Sequence, residues 1–137
     1  MGPLMDRIDI RIDVPAVSAA DLIRPTRAET SADVALRVAR ARDIQQERFE
    51  SAGAKGVGTN ARCSTAMIEK YAEPDAGGLQ LLRGAAEKMK FSARGYHRIL
   101  KVARTMADLD GNPTVGRIHL AEAISYRIAG ERLTAAA

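Results

Sequence analysis

Four basic residues between positions 92 and 107 are the side chains in this sequence best suited to chemistry. Arg94, Arg98 and Lys101 are spaced by four and by three, so a helix would place them on one face. Arg104 follows, and no acid interrupts the set. Arg94 would lie in the first helical turn, where a cation opposes the helix dipole and is stabilised by an anion. The alternative is a basic face that contacts only solvent.

The two histidines and the cysteine are interpreted as structural residues. His97 and His119 have no acidic or cysteine companion at the spacing that metal ligands require. Cys63 has no histidine near it in the sequence to act as its base. We therefore predict no metal site and no cysteine nucleophile.

Residues 53–60 form a glycine-rich segment, Gly-Ala-Lys-Gly-Val-Gly-Thr-Asn. An ATP-binding phosphate loop needs Gly-Lys-Ser/Thr between a strand and a helix, whereas here Lys55 precedes Gly56 and follows a helix. We interpret the segment as a helix stop and a flexible connection. Without a Walker A motif, the 137 residues alone should neither hydrolyse ATP nor bind it tightly.

Apolar periodicity and capping residues predict five helices. The first has a loosely apolar stripe of Val34, Val38, Ala41, Ile44 and Phe49, and its balanced charges, Arg48 among them, are interpreted as a solvated face. The predicted helices cover about Asp33 to Ser51, Thr65 to Tyr71, Asp75 to Met89, Ala93 to Leu109, and Arg117 to about Gly130.

Residues 7–14 alternate strictly between polar and apolar side chains, as in a half-buried strand. Its apolar face would carry Ile8, Ile10, Ile12 and Val14. No other segment predicts a strand, so this strand lacks partners. Residues 15–30, which include Pro15 and Pro25, are predicted to be an irregular linker.

The composition favours packed helices over a β-sandwich, because aromatic residues make up 4% of the chain and Trp is absent. We predict an all-α fold, a small bundle of about five helices with an isolated N-terminal β-strand. One cysteine excludes a disulfide scaffold, and no apolar run is long enough for a membrane span. The first residues do not resemble a secretory signal, so a cytoplasmic location is expected. The net charge is +4, and 16 of the 21 basic residues are arginine, which favours phosphate or carboxylate recognition.

Three segments carry a family resemblance. Residues 2–9, Gly-Pro-Leu-Met-Asp-Arg-Ile-Asp, resemble the end of the nucleotide-binding core in AAA+ ATPases of the magnesium-chelatase and MCM branch. Residues 91–105 resemble the Ser-x-Arg helix of that family. Residues 119–127, His-Leu-Ala-Glu-Ala-Ile-Ser-Tyr-Arg, are similar to the C-terminal domain of magnesium-chelatase-related proteins of the ComM type.

The resemblance implies roles for four basic residues. Arg7 corresponds to the arginine finger and Arg94 to the sensor 2 arginine, both of which act in catalysis, and Arg98 and Lys101 are candidates for phosphate or partner binding. Residues 1–30 would end an AAA+ core, and residues 31–137 would form the C-terminal helical lid. ATP and Mg²⁺ would bind only in a longer protein that supplies the core. The partners of that protein would be neighbouring subunits of a homo-oligomeric ring, and DNA. No membrane partner is expected.

Other functions remain open at this point. Within the family, the alternative to ATP-driven DNA branch migration is a magnesium chelatase subunit. Outside it, the alternatives are a basic helical module that binds DNA through Arg94, Arg98 and Lys101, or a plain interaction domain. DNA binding by the chain alone would be strongly salt-dependent, whereas a lid should bind weakly at physiological salt.

Overall fold

The computed structural model describes residue 4, residues 6–24 and residues 28–136. These residues form six α-helices and no strand, which confirms the all-α prediction. Gly2, Pro3 and Met5 of the first motif, and Pro25 of the predicted linker, lie outside the described residues. The helices are α1 (Ala19–Ile23), α2 (Ser31–Ser51), α3 (Thr65–Tyr71), α4 (Ala76–Met89), α5 (Ala93–Leu109) and α6 (Arg117–Ala136).

All five predicted helices are present, and short side chains cap the starts of α2, α4 and α5. Thr30, Asp75 and Ser92 each accept a hydrogen bond from the backbone N–H three residues later, as N-cap residues do. Helix α2 ends where predicted, and Gly53 follows it with a φ of 75°. Two predictions were wrong. Helix α1 forms within the segment predicted to be an irregular linker, and α6 continues to Ala136 and not only to about Gly130.

Helix α5 lies at the centre of the bundle and packs against α2, α3 and α6, while α6 also packs against α4. The apolar face predicted for α5 is buried, as is most of the face predicted for α6. The buried apolar residues of these two helices are Ile99, Leu100, Val102, Ala103, Ala107, Leu120, Ala123 and Ile124. Because α5 is held on three sides, its first turn is a fixed platform for the basic residues that it carries.

The predicted N-terminal strand is wrong. Residues 8–17 have no regular secondary structure, and no strand pairs with them in the described part of the chain. The apolar side chains Ile8, Ile10, Ile12 and Val14 are exposed. Instead, Asp9 binds Arg98 of α5, with 2.5 Å between Oδ1 and Nη1. With no backbone partner available, charge rather than apolar burial determines which side of the segment contacts the helices.

The N-terminal half of α2 also differs from its prediction. Its buried residues are Ala41, Gln45 and Phe49, all in the second half of the helix. Three residues of the predicted apolar stripe, Val34, Val38 and Ile44, are exposed. Residues 31–40 therefore extend beyond the body of the bundle, where a helical apolar stripe has nothing to pack against.

A buried ion pair, not a solvated charge, fixes the second half of α2. Arg48 binds Asp108 of α5, with 3.1 Å between Nη1 and Oδ2. Asn60 donates from Nδ2 to the same Oδ2 at 3.0 Å and accepts from Arg48 at 3.2 Å. The Asn60 backbone N–H donates to Gln45 of α2 at 3.0 Å. This cluster joins α2, the turn at residues 60–62 and α5.

Arg104 belongs to the same buried cluster and not to a basic surface. Its Nε donates to Asp108 at 3.1 Å, and its guanidinium also donates to three backbone carbonyl oxygens. Burial lowers the pKa of Arg104, and the charge of Asp108 acts in the opposite direction. The three carbonyl groups are those of Tyr71, Asn112 and Pro113. The prediction that Arg104 belongs to one basic set with Arg94 is therefore wrong.

Candidate functional site

The first turn of α5 presents Arg94, which is more exposed than the other predicted site residues of that helix, Arg98 and Lys101. Ser92 caps the helix by accepting from the Gly95 N–H at 3.0 Å. Arg94 lies between them and is exposed. In the described part of the chain, its side chain has no hydrogen bond or ion pair. A guanidinium here is free to bind an anion brought to the helix N-terminus, where the backbone also favours negative charge.

The three residues of the predicted basic face line one cleft of about 680 Å³, so the structure brings them together. The three side chains differ in whether they are free to bind a ligand. Arg98 is held by Asp9, and the Lys101 Nζ donates to the Ala61 carbonyl at 3.1 Å. An anion in this cleft would meet Arg94 directly, but it would have to displace an internal partner from Arg98 or Lys101.

The N-terminal segment places Arg7 near the same helix end. Its neighbour Asp6 accepts from the Ser92 Oγ at 3.3 Å and from Arg127 of α6 at 3.0 Å. Arg7 itself is exposed. Because Asp6 contacts the cap that lies two residues before Arg94, the two predicted catalytic arginines lie at one end of the molecule.

Arg127 is a buried arginine beside the start of α5, and the side-chain pattern did not reveal its position. It is 7% exposed, and its Nη1 has no hydrogen-bond partner in the described part of the chain. Gly95 explains how it fits, because a Cβ at that position would lie 3.0 Å from the Arg127 Nη2. The only sequence signal was a glycine in a helix, where alanine is more favourable. Gly95 therefore gives Arg127 room to reach Asp6.

The histidines have the structural roles that were predicted. The His119 Nδ1 accepts from the Gly116 N–H at 3.0 Å, so in the neutral ring its Nε2 carries the proton and donates to Asp110 at 2.8 Å. The His97 Nε2 lies 2.9 Å from a carboxylate oxygen of Glu69. Each ring is thus used in a local hydrogen bond.

Cys63 is buried, and its thiol lies 3.0 Å from the Asn60 carbonyl oxygen. Burial raises the pKa of the thiol, which disfavours the reactive thiolate. Among the residues that the structure describes, no three His, Cys, Asp or Glu side chains are placed to hold a metal ion. No helix of that part is long and apolar enough to cross a membrane.

Comparison with known proteins identifies similar sequences. A match to competence protein ComM of Haemophilus influenzae has 41% identity over 127 residues and covers 92% of this chain and 24% of that protein. An uncharacterized protein of Mycobacterium tuberculosis is 35% identical over 136 residues, with 96% and 25% covered. YifB, an uncharacterized protein of Escherichia coli, is 33% identical over 127 residues, with 92% and 24% covered. The chain thus spans about a quarter of the length of these relatives.

The family model that describes the C-terminal part of magnesium chelatase subunit ChlI matches residues 28–127. This range includes α2 to α5 and the part of α6 that carries Arg127. The resemblance stated for residues 91–105 and 119–127 is therefore confirmed, and the chain belongs to the family of magnesium chelatase C-terminal domains, with ComM among its relatives.

Proposed function

We propose that this chain is the C-terminal lid of an AAA+ ATPase and that Arg94 contacts a phosphate group of bound ATP. The observation that carries the proposal is the position of Arg94, an exposed first-turn cation on a helix that is otherwise firmly packed. Family membership and the ComM-like relatives support it. A guanidinium in this place stabilises the charge that develops during phosphoryl transfer.

Arg7 is proposed as a second catalytic arginine, the finger that contacts the same kind of phosphate site. Its support is the contact of Asp6 with Ser92 and Arg127, which brings the Arg7 segment to the end of α5 that carries Arg94. Two arginines on one end can converge on one nucleotide, whether it is bound by the same subunit or by a neighbour. Arg98 and Lys101 remain candidates for phosphate or partner binding in the cleft beside Arg94.

The nucleotide-binding core and the subunit contacts of the proposed ATPase would belong to a longer protein. We propose that residues 1–30 end its AAA+ core, that this core binds ATP and Mg²⁺, and that subunits assemble into a homo-oligomeric ring. The exposed row of Ile8, Ile10 and Ile12 supports this arrangement, because such a row is expected to be covered by a core sheet. As the family resemblance implies, we propose that the ring acts on DNA, through branch migration.

Replacement of Arg94 tests the proposal in the longer protein. Arg94→Ala should lower ATP hydrolysis by about 10³-fold, the lower end of the range for arginine fingers. It should change the stability of this domain by no more than about 0.5 kcal/mol, since an exposed first-turn cation contributes little to folding. Steady-state hydrolysis and urea unfolding measure the two effects.

Arg98→Ala is the matched control, one helical turn further from the N-terminus. It should lower hydrolysis much less than Arg94→Ala, because Arg98 is engaged with Asp9. The assignment of Arg94 fails if Arg98→Ala abolishes hydrolysis while Arg94→Ala does not. It also fails if Arg94→Ala unfolds the helices.

A further inference from the structure

The glycine-rich segment between α2 and α3 borders a pocket that none of the proposed catalytic residues lines. The pocket has a volume of about 340 Å³. Arg42 of α2 and Arg62 lie on its wall, together with Gly56, Gly58 and Thr59. We propose that this pocket binds phosphate groups of a nucleic-acid strand.

The loop is held in position at both ends, so a ligand does not have to order it. At its start, the Ala54 N–H donates to the Phe49 carbonyl oxygen of α2 at 2.9 Å. At its end, Asn60 is 2% exposed and bound within the Asp108 cluster. A pre-organised loop avoids the entropic cost of ordering on binding.

The glycines leave the backbone of the loop uncovered. Gly56 and Gly58 have φ values of 88° and 68°, and a Cβ at either position would meet nothing within 4 Å. The backbone N–H groups of Lys55, Gly56 and Gly58 make no hydrogen bond in the described part of the chain. Uncovered N–H groups beside glycine are suited to the close approach of a phosphate oxygen.

The charge around the pocket is also complementary to phosphate. Arg42 and Arg62 are exposed, and neither has an ion pair among the described residues. The one acid on the wall, Glu50, accepts a hydrogen bond from Gln46 at 3.0 Å. The two cations come from α2 and from the turn that follows the loop, an arrangement that fits successive phosphates of a strand better than a single ion.

The proposed site is separate from ATP hydrolysis and can be tested without nucleotide or the rest of a longer protein. The proposal goes beyond the lid function. It rests on the proposed function in one respect only, the choice of a nucleic acid as the ligand that carries the phosphate groups. A failure at this pocket would leave the assignment of Arg94 unchanged. A failure of Arg94 would likewise leave this pocket unchanged.

The test is fluorescence anisotropy of a labelled single-stranded oligonucleotide with the 137-residue chain over a series of salt concentrations. Arg42→Gln/Arg62→Gln should weaken binding about tenfold at low salt. The slope of the logarithm of the binding constant against that of the salt concentration should fall by about 1.4, the value for two phosphate contacts on a single strand. Thermal unfolding should show that the double variant stays folded.

Arg83→Gln/Arg117→Gln is the matched control, since it removes the same charge from exposed arginines of α4 and α6. The proposal is supported if this control binds the oligonucleotide like the original chain. It is overturned if both double variants weaken binding equally, because binding then reflects net charge alone. It is also overturned if inorganic phosphate shifts the Gly56 and Gly58 amide resonances while the oligonucleotide does not, because the pocket then takes only the free ion.

Discussion

Asp108 is the residue on which the packing of α2 and α5 depends. Its side chain is fully buried between Arg48 and Arg104 and also accepts from Asn60. A carboxylate in such a place is the counter-charge for two guanidinium groups. Removal of one partner of a buried ion pair leaves an uncompensated charge, a larger loss than the pair itself contributes.

We therefore expect Asp108→Asn to lower the free energy of unfolding by about 3–5 kcal/mol. Asp43→Asn on the exposed face of α2 is the control and should change it by less than about 0.5 kcal/mol. Urea unfolding followed by circular dichroism measures both. A loss below 1 kcal/mol for Asp108→Asn, on the order of a single surface pair, would contradict the buried cluster.

Cys63 makes the stability of the domain depend on pH. Burial raises the pKa of its thiol in the folded state. The unfolded chain thus releases this proton at a lower pH than the folded one, and the contribution of the thiol to stability declines as pH rises between the two pKa values. The window opens above the ordinary thiol pKa of about 8.5.

We expect the free energy of unfolding to fall as pH rises above about 8.5. Cys63→Ala should show a smaller fall over the same range, although other groups titrate in both proteins. Urea unfolding at a series of pH values gives the comparison. Equal slopes for the two proteins would show that the folded thiol titrates normally.

At the scale of elements, two ion pairs and one hydrogen bond hold the N-terminal segment on the bundle: Asp6 pairs with Arg127, Asp9 pairs with Arg98, and the Ser92 Oγ donates to Asp6. The first depends on Gly95, because a Cβ there would lie 3.0 Å from the Arg127 guanidinium and 3.3 Å from the Ser92 Oγ. A methyl group at this point would make the Arg127 guanidinium and the Ser92 Oγ shift by a few tenths of an ångström. Both groups bind Asp6, so the segment that carries Arg7 would be held less firmly.

We expect Gly95→Ala to release the segment, so that trypsin cleaves faster after Arg11, whose Nε is buried in the intact protein. Gly84→Ala is the control, because a Cβ in α4 at that position meets nothing within 4 Å. It should leave cleavage unchanged and stabilise the helix by about 0.5–1 kcal/mol. Unchanged cleavage of Gly95→Ala would show that Arg127 does not hold the segment.

At the scale of the whole molecule, the apolar residues of the N-terminal segment form an exposed row. Ile10 and Ile12 are 47% and 61% exposed, next to a backbone without ladder hydrogen bonds. Extended segments of this kind pair readily with another chain. In the longer protein, the core is proposed to cover this row, whereas the 137-residue chain has to leave it in contact with water.

We expect the 137-residue chain to self-associate at high concentration and Ile10→Lys/Ile12→Lys to remain monomeric with unchanged helix content. Leu22→Lys/Ile23→Lys, a change of two other exposed apolar residues, should not prevent association. Sedimentation velocity distinguishes these outcomes. A chain that is monomeric at every concentration would show that the row does not act as an interface.

Helices α2 to α6 and their order could be predicted from the sequence, because the signals involved are local. The Ser92 cap and its partner Gly95 are three residues apart, and the apolar positions of α5 repeat within one or two turns. The placement of Arg94 at the first turn follows from the same local signals. Its proposed role came from the family resemblance and remains a prediction.

Which charges are buried and which remain available depends on long-range packing. Arg48 and Arg104 look like surface cations in the sequence, but the first meets Asp108 60 positions away and the second is enclosed by carbonyl groups. Asp6 and Arg127 are separated by 121 positions. Charge patterns do not specify such pairs, because the partners meet only after apolar packing has brought their elements together.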